Sequence, residues 1–298
     1  MKIFDAHIHA RKKEPNPELL IKDMNKVGVY GGCVFSTRPL EVDISTGLNF
    51  KDRLNEIINW TEKYPNRLFP VLWIHPYEFN IFNKIKIAVN AGVKAFKIIC
   101  TDFYPYERRC LKVLDKIADN DKAVFFHSGI IWNVGDASKY NRPLNFEKLI
   151  EIDNLKFAMG HCGWPWTDEC IALYGKFLNG ITSGRSAEMF FDLTPGTPEI
   201  YREDLIKKIF NCGYDVPNNI LFGTDNNASD YKYEWTEKWL KVDGQIYDKL
   251  GVDELLLTKI YSDNLLRFLG LKEKDFIHIS PNCNDADTWS LENYKLKK

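Results

Sequence analysis

The chain has 298 residues, 45% hydrophobic and 14% aromatic, with 40 Lys plus Arg against 41 Asp plus Glu. That length suits a single α/β barrel, which needs roughly 250 residues, and near-neutral charge without a basic tract argues against nucleic-acid or anionic-membrane partners. Seven cysteines at irregular spacing, none in a C-x-x-C pair, argue against a disulfide framework or a zinc ribbon. Apolar runs stay well short of the ~20 residues that span a bilayer. Strand-like sequence begins at residue 2, which leaves no room for a signal peptide, so a cytoplasmic protein is expected.

Short β-rich runs alternate with helix-patterned segments. The predicted strands are 2–8, 29–35, 68–74, 93–99, 122–128, 155–161, 187–193 and 219–225. Helices are expected near 17–27, 50–64, 80–91, 107–120, 145–152, 168–179 and 200–212. Eight strands alternating with helices imply parallel strands joined by crossovers, and so a (β/α)8 TIM barrel. Residues 231–250 read as helix or loop. "SDNLLRFLGL" (262–271) reads as a closing helix with Ser262 as its cap. The barrel is thus assigned to 1–271, and 272–298, polar and weakly periodic, to a C-terminal extension that is not a second domain.

The opening "MKIFDAHIHA" puts Asp5, His7 and His9 at alternating positions. In a regular strand these three share a face, and each would be costly to bury without a partner. His7 and His9 end strand 1, His127 ends strand 5, His161 ends strand 6 and Asp225 ends strand 8. The C-terminal ends of barrel strands meet at one rim, where barrel enzymes carry their active sites. Imidazole nitrogens and a carboxylate there suit Zn²⁺ or another first-row ion, with an open position for water whose pKa such an ion lowers to about 7.

"FDAHIHA", "FFHSG", "MGHCGWP" and "LFGTD", in this order at these strand ends, resemble the amidohydrolase superfamily. More narrowly they resemble its amidohydrolase-related branch of metal-dependent hydrolases and decarboxylases of the aminocarboxymuconate-semialdehyde type. "SDNLLRFLGL" is similar to the Asn-x-x-Arg-x-x-Gly-Leu helix that closes many such chains, so the resemblance covers residues 2–271. It implies His7, His9, His127 and Asp225 as ligands of one divalent metal, Zn²⁺ first, with Mn²⁺ or a second ion left open. It implies His161 as a further ligand or a water-orienting base, and Asp225 as the group that carries protons. The segment after Asp225, "NNASD", departs from the Pro-containing turn of many relatives.

Other residues are weighed beside these. His75 in "WIHP" is a candidate substrate contact or a structural turn histidine. The resemblance offers Lys97 in strand 4 as a carboxylated metal bridge; read from the residue alone it is a cation for an acidic substrate, or a lysine whose stem runs outward. Trp132 and Trp164 are candidate pocket walls or plugs between loops and barrel. Cys162 beside His161 is not read as a nucleophile, because strand neighbours point opposite ways. His278 lies in the tail and is not expected to act.

The expected function is a metal-dependent hydrolase in which metal-bound hydroxide attacks an amide, lactone or ester of a small molecule. The alternatives are a decarboxylase of an unsaturated or aromatic acid on the same site, and a non-catalytic ligand-binding barrel. Homo-oligomer formation stays open.

Overall fold

The structure is a computed structural model that describes residues 1–11, 14–132 and 135–271. The tail 272–298, with its assignment as an extension and His278, lies outside the described residues. Parallel strands run β1 Ile3–His9, β2 Val29–Phe35, β3 Leu68–Trp73, β4 Ala95–Ile98, β5 Ala123–His127, β6 Lys156–Gly160, β7 Glu188–Asp192, β8 Ile220–Leu221 and β9 Asn226–Asn227. Each predicted strand is found within two residues at either end, except the eighth.

The eighth strand position is split in two. β8 pairs with β7, whereas β9 pairs with β1 through Ile8↔Asn226 and His9↔Asn227. Between them Ala6 donates its N–H to the Phe222 carbonyl at 2.8 Å. The chain therefore steps from the last neighbour to the first, and the barrel closes. The "NNASD" departure supplies this closing segment and is not a free loop.

Alternation along the strands sorts apolar residues into two layers. Phe4, Ala6, Cys33, Phe35, Phe69, Val71, Ala95, Phe125, Ala158, Phe190 and Leu221 fill the lumen. Ile3, Ile8, Val29, Val34, Leu72, Phe96, Phe126, Met159 and Phe191 face the surrounding helices. Those helices are α1 Pro17–Asn25, α2 Glu41–Thr46, α3 Phe50–Thr61, α4 Ile81–Asn90, α5 Arg108–Ala118, α6 Thr167–Thr182, α7 Arg202–Asn211 and α8 Tyr233–Leu250. None of the described helices is long and apolar enough to cross a membrane.

Two further expectations change. The β5–β6 crossover is a 3₁₀ segment, Pro143–Glu151. Pro143, Phe146, Leu149 and Ile152 are buried at a spacing of three, which a three-residue turn places on one face and an α-helix does not. Ser262 is not a cap. The closing helix starts earlier, at Asp253, whose side chain accepts from Leu256 N–H at 2.8 Å. It runs through α9 Glu254–Thr258, a π turn Lys259–Asp263 that buries Ser262, and α10 Asn264–Phe268. The wider turn shifts the phase of the apolar face. Tyr261 meets the outer layer, while Leu265, Leu266, Phe268 and Leu269 join the lumen cluster.

Phe268 packs edge-on to Phe125 and Phe190, with centroids 4.8 and 4.9 Å away. Phe268→Ala is expected to cost about 3–5 kcal/mol in a denaturant titration; a loss below about 1 kcal/mol would contradict this packing role.

Candidate metal centre

A register irregularity in β1 between Asp5 and Ile8 sets the site. Phe4 and Ala6 belong to the lumen, yet Ile8 belongs to the outer layer. The inward parity therefore changes at His7, whose ring meets Phe35, Phe125 and His161. His9 follows it inward against Phe35 and Trp73.

Asp5 consequently does not share a face with the histidines, contrary to the alternation in the sequence. It lies fully buried and accepts from His7 N, Thr224 N, Thr224 Oγ1 and Tyr231 Oη at 2.5–3.1 Å. Burial pushes its carboxyl up to about 7, against the opposing pull of these bonds. Asp5 ties the chain before His7 to the turn before Asp225.

Three donor atoms converge at the mouth. His7 Nε2 and His9 Nε2 are 3.2 Å apart, His9 Nε2 and Asp225 Oδ1 3.1 Å, and His7 Nε2 and Asp225 Oδ1 3.9 Å. Among the described residues this is the group of His, Cys, Asp or Glu whose ligand atoms cluster closely enough to hold an ion. The point equidistant from the three lies about 2.0 Å from each, the length of a zinc–nitrogen or zinc–oxygen bond. The donor set fits a divalent first-row ion.

A neighbouring bond fixes which nitrogen the His7 imidazole offers. His7 Nδ1 lies 2.6 Å from Asp192 Oδ2. Burial opposes ionisation of Asp192, yet His7 and Thr194 outweigh it and hold the carboxyl down to about 2. An ionised carboxylate only accepts, so His7 Nδ1 carries the proton and Nε2 presents a lone pair. Asp192 closes β7, fully buried. Its partner lies 185 positions away in sequence, and only the inward parity of a lone Asp ending "AEMFFD" signals it.

His127 sits beside His161, ring centroids 4.9 Å apart. Its Nε2 donates to the Ile130 carbonyl at 3.0 Å, which leaves Nδ1 unprotonated. The close group does not include His127, so three of the four implied ligands are gathered. His161 opens the turn after β6 with φ 61°, and its Nδ1 faces the Thr194 carbonyl at 3.3 Å. Glycine is required close by. A Cβ on Gly196 would stand 2.5 Å from His161 Nδ1, and one on Gly223 2.2 Å from Thr194 Oγ1 and 2.9 Å from His7 Cβ.

The "Asp-Leu-Thr" segment after β7 is held from outside. Arg202, buried in α7, donates to the Leu193 carbonyl at 2.6 Å and makes a two-point pair with Asp243 of α8 at 2.8 and 2.6 Å. The residues on either side of Leu193 orient His7 and His161.

Asp225 has φ 59° between β8 and β9, and its side chain is 39% exposed. Burial raises its affinity for a proton, but the hydrogen bond from His9 and the nearby His7 and His161 hold its carboxyl well below the usual range. His75 lies outside the group. Its Nε2 faces Asp102 at 2.9 Å and its Nδ1 accepts from Tyr77 N–H at 3.2 Å, so it clasps the loops after β3 and β4. Trp132 stacks on Trp164 at 5.8 Å and 17°, with Trp132 74% exposed. Trp164 also walls a cleft of about 300 Å³ with Tyr201 and Leu205. Lys97 is buried in the lumen. Cys162 follows His161 in the turn after β6, its buried Sγ donates to the Asp192 carbonyl at 3.6 Å, and burial pushes its thiol up.

No protein-family model matches the chain, and no curated protein does. Solved structures do share its shape. An amidohydrolase from Burkholderia multivorans with bound zinc superposes at TM-score 0.64 and 10% identity, covering 91% of this chain and 100% of that one. A probable 2-pyrone-4,6-dicarboxylic acid hydrolase from Acinetobacter baumannii, with citric acid bound, gives 0.58 and 12% over the same shares, 91% and 100%. The 2,6-dihydroxybenzoate decarboxylase from Rhizobium gives 0.59 and 12% over 91% and 99%.

Asp192→Ala is expected to weaken zinc binding to metal-stripped protein 10–100-fold in a competition titration; unchanged affinity would contradict its orienting role. A pH effect follows as well. Burial pushes His7 down to about 4, and it lowers His127 and His161 too. As pH falls from about 6.5 towards 4, the unfolded chain takes up protons that these residues refuse when folded, so stability is lost. Asp5, raised to about 7, acts in the opposite sense over about pH 4–7 but is one group against three. The melting temperature of metal-stripped protein should therefore fall between pH 6.5 and 4; a rise would contradict the balance.

The fold of this chain is that of solved amidohydrolase-superfamily enzymes.

Proposed function

We propose that the chain is a metal-dependent hydrolase of the amidohydrolase superfamily, acting on an amide, lactone or ester bond of a small molecule. The observation that carries this reading is the convergence of His7 Nε2, His9 Nε2 and Asp225 Oδ1 at the rim, 3.1–3.9 Å apart. His7, His9 and Asp225 would hold one divalent ion, Zn²⁺ first. When bound, such an ion polarises a carbonyl and makes water a nucleophile at neutral pH.

The residues supply the rest. Asp192 keeps the His7 proton on Nδ1, so that Nε2 points into the site. Asp225, partly exposed, would take a proton from the nucleophile through its second oxygen and return it to the leaving group. His161, its Nδ1 directed at Thr194, has Nε2 left to orient water or the scissile carbonyl. Asp225 and His161 are the catalytic pair of this account.

Decarboxylation on the same site is the second reading. A 2,6-dihydroxybenzoate decarboxylase shares the fold, and the stacked Trp132 and Trp164 offer a ring surface at the rim.

A panel of lactones, esters, amides and aromatic acids tests both readings. Chelation should abolish turnover and Zn²⁺ or Mn²⁺ restore it. His161→Asn should lower kcat about 10²–10⁴-fold. Turnover that survives complete metal removal would overturn both readings, and CO₂ release without a hydrolytic product would select the second.

A further inference from the structure

Lys97 is the last inward-facing residue of β4 and is 1% exposed. It pairs in register with Trp73 at the end of β3 and with Phe125 of β5. Its Nζ lies over the Phe35 ring, 5.3 Å from the centroid. His7 and His9 pack against that same ring, at 4.6 and 5.3 Å. The amine thus shares one aromatic wall with two of the three converging donors.

Its Nζ makes no hydrogen bond among the described residues. Three N–H donors buried without acceptors are costly, and the Phe35 face compensates only part of that cost. The inward carboxylates nearby are committed elsewhere. Asp192 accepts from His7 and Thr194, and Asp225 faces His9. Burial pushes the amine down to about 8, with Asp192 and Asp225 pulling it back up.

An occupant that brings a negatively charged oxygen supplies the acceptor that Nζ lacks. The lumen wall here is Phe35 and Phe125, which leaves one cation to meet the anion. That suits a small, flat, singly charged group better than a phosphate, which calls for several donors.

We propose that Lys97 is an anion-holding residue of this site, whose unpartnered ammonium docks the carboxylate of an acidic substrate beside the His7–His9–Asp225 group. The inference rests on the metal-site reading above and narrows its substrate class to carboxylic acids.

The test uses the full chain loaded with zinc and two probes of equal shape, benzoate and benzamide, followed by calorimetry. The unmodified protein should bind benzoate at least 10-fold tighter than benzamide. Lys97→Met should abolish that preference, whereas Lys97→Arg should retain most of it. Zinc affinity, titrated separately, should change less than threefold in both variants. Three results would overturn the proposal: equal binding of the two probes by the unmodified protein, a full benzoate preference in Lys97→Met, or a native mass spectrum showing Lys97 carboxylated. Failure of the chain to take up zinc, with the benzoate preference intact and lost in Lys97→Met, would sink the metal reading while sustaining the role of Lys97.

Discussion

The hydrogen bond between His7 Nδ1 and Asp192 Oδ2, 2.6 Å long, is the contact on which the site depends. It crosses from the first strand to the seventh. It is fully buried, so its electrostatic strength is not diluted by water. By fixing the proton on Nδ1 it turns Nε2 into a permanent lone pair facing His9 and Asp225. A free imidazole exchanges tautomers and rotates; a buried carboxylate on Nδ1 favours one tautomer and one ring orientation.

Much of the surrounding structure serves that contact. The register irregularity in β1 brings His7 inward, where strict alternation from Phe4 would have turned it out. Gly223 leaves room for His7, Asp192 and Thr194 to meet, because any side chain there would collide with Thr194. Arg202 and Asp243 brace the Leu193 carbonyl from outside the barrel. Asp5 and Tyr231 brace Thr224 and the backbone of His7. At the far end Phe268 fills the lumen, so the polar groups sit at the mouth of a packed barrel.

The sequence made some of this legible and hid the rest for physical reasons. Strand positions could be read because apolar runs bounded by turn residues are local signals. The inward parity of β2 to β7 follows from a period of two. His7, His9 and Asp225 could be read because strand ends meet at one rim. The irregularity in β1 has no local signature, so strict alternation puts Asp5 on the wrong face. Asp192 looked like an ordinary strand end, since its significance lies in a partner 185 residues away. The splitting of the eighth strand into β8 and β9 depends on the left-handed turn at Asp225, which residue type alone does not dictate. The π turn that hides Ser262 likewise arises from packing two faces of one helix against two different layers.

The most direct measurement is the position and coordination of the ion in crystals of zinc-loaded protein, located by anomalous scattering at the zinc edge. The account predicts one strong peak about 2.0–2.2 Å from His7 Nε2, His9 Nε2 and an oxygen of Asp225. A peak on cysteine sulfur, or on surface carboxylates with the His7–His9–Asp225 group bare, would contradict it.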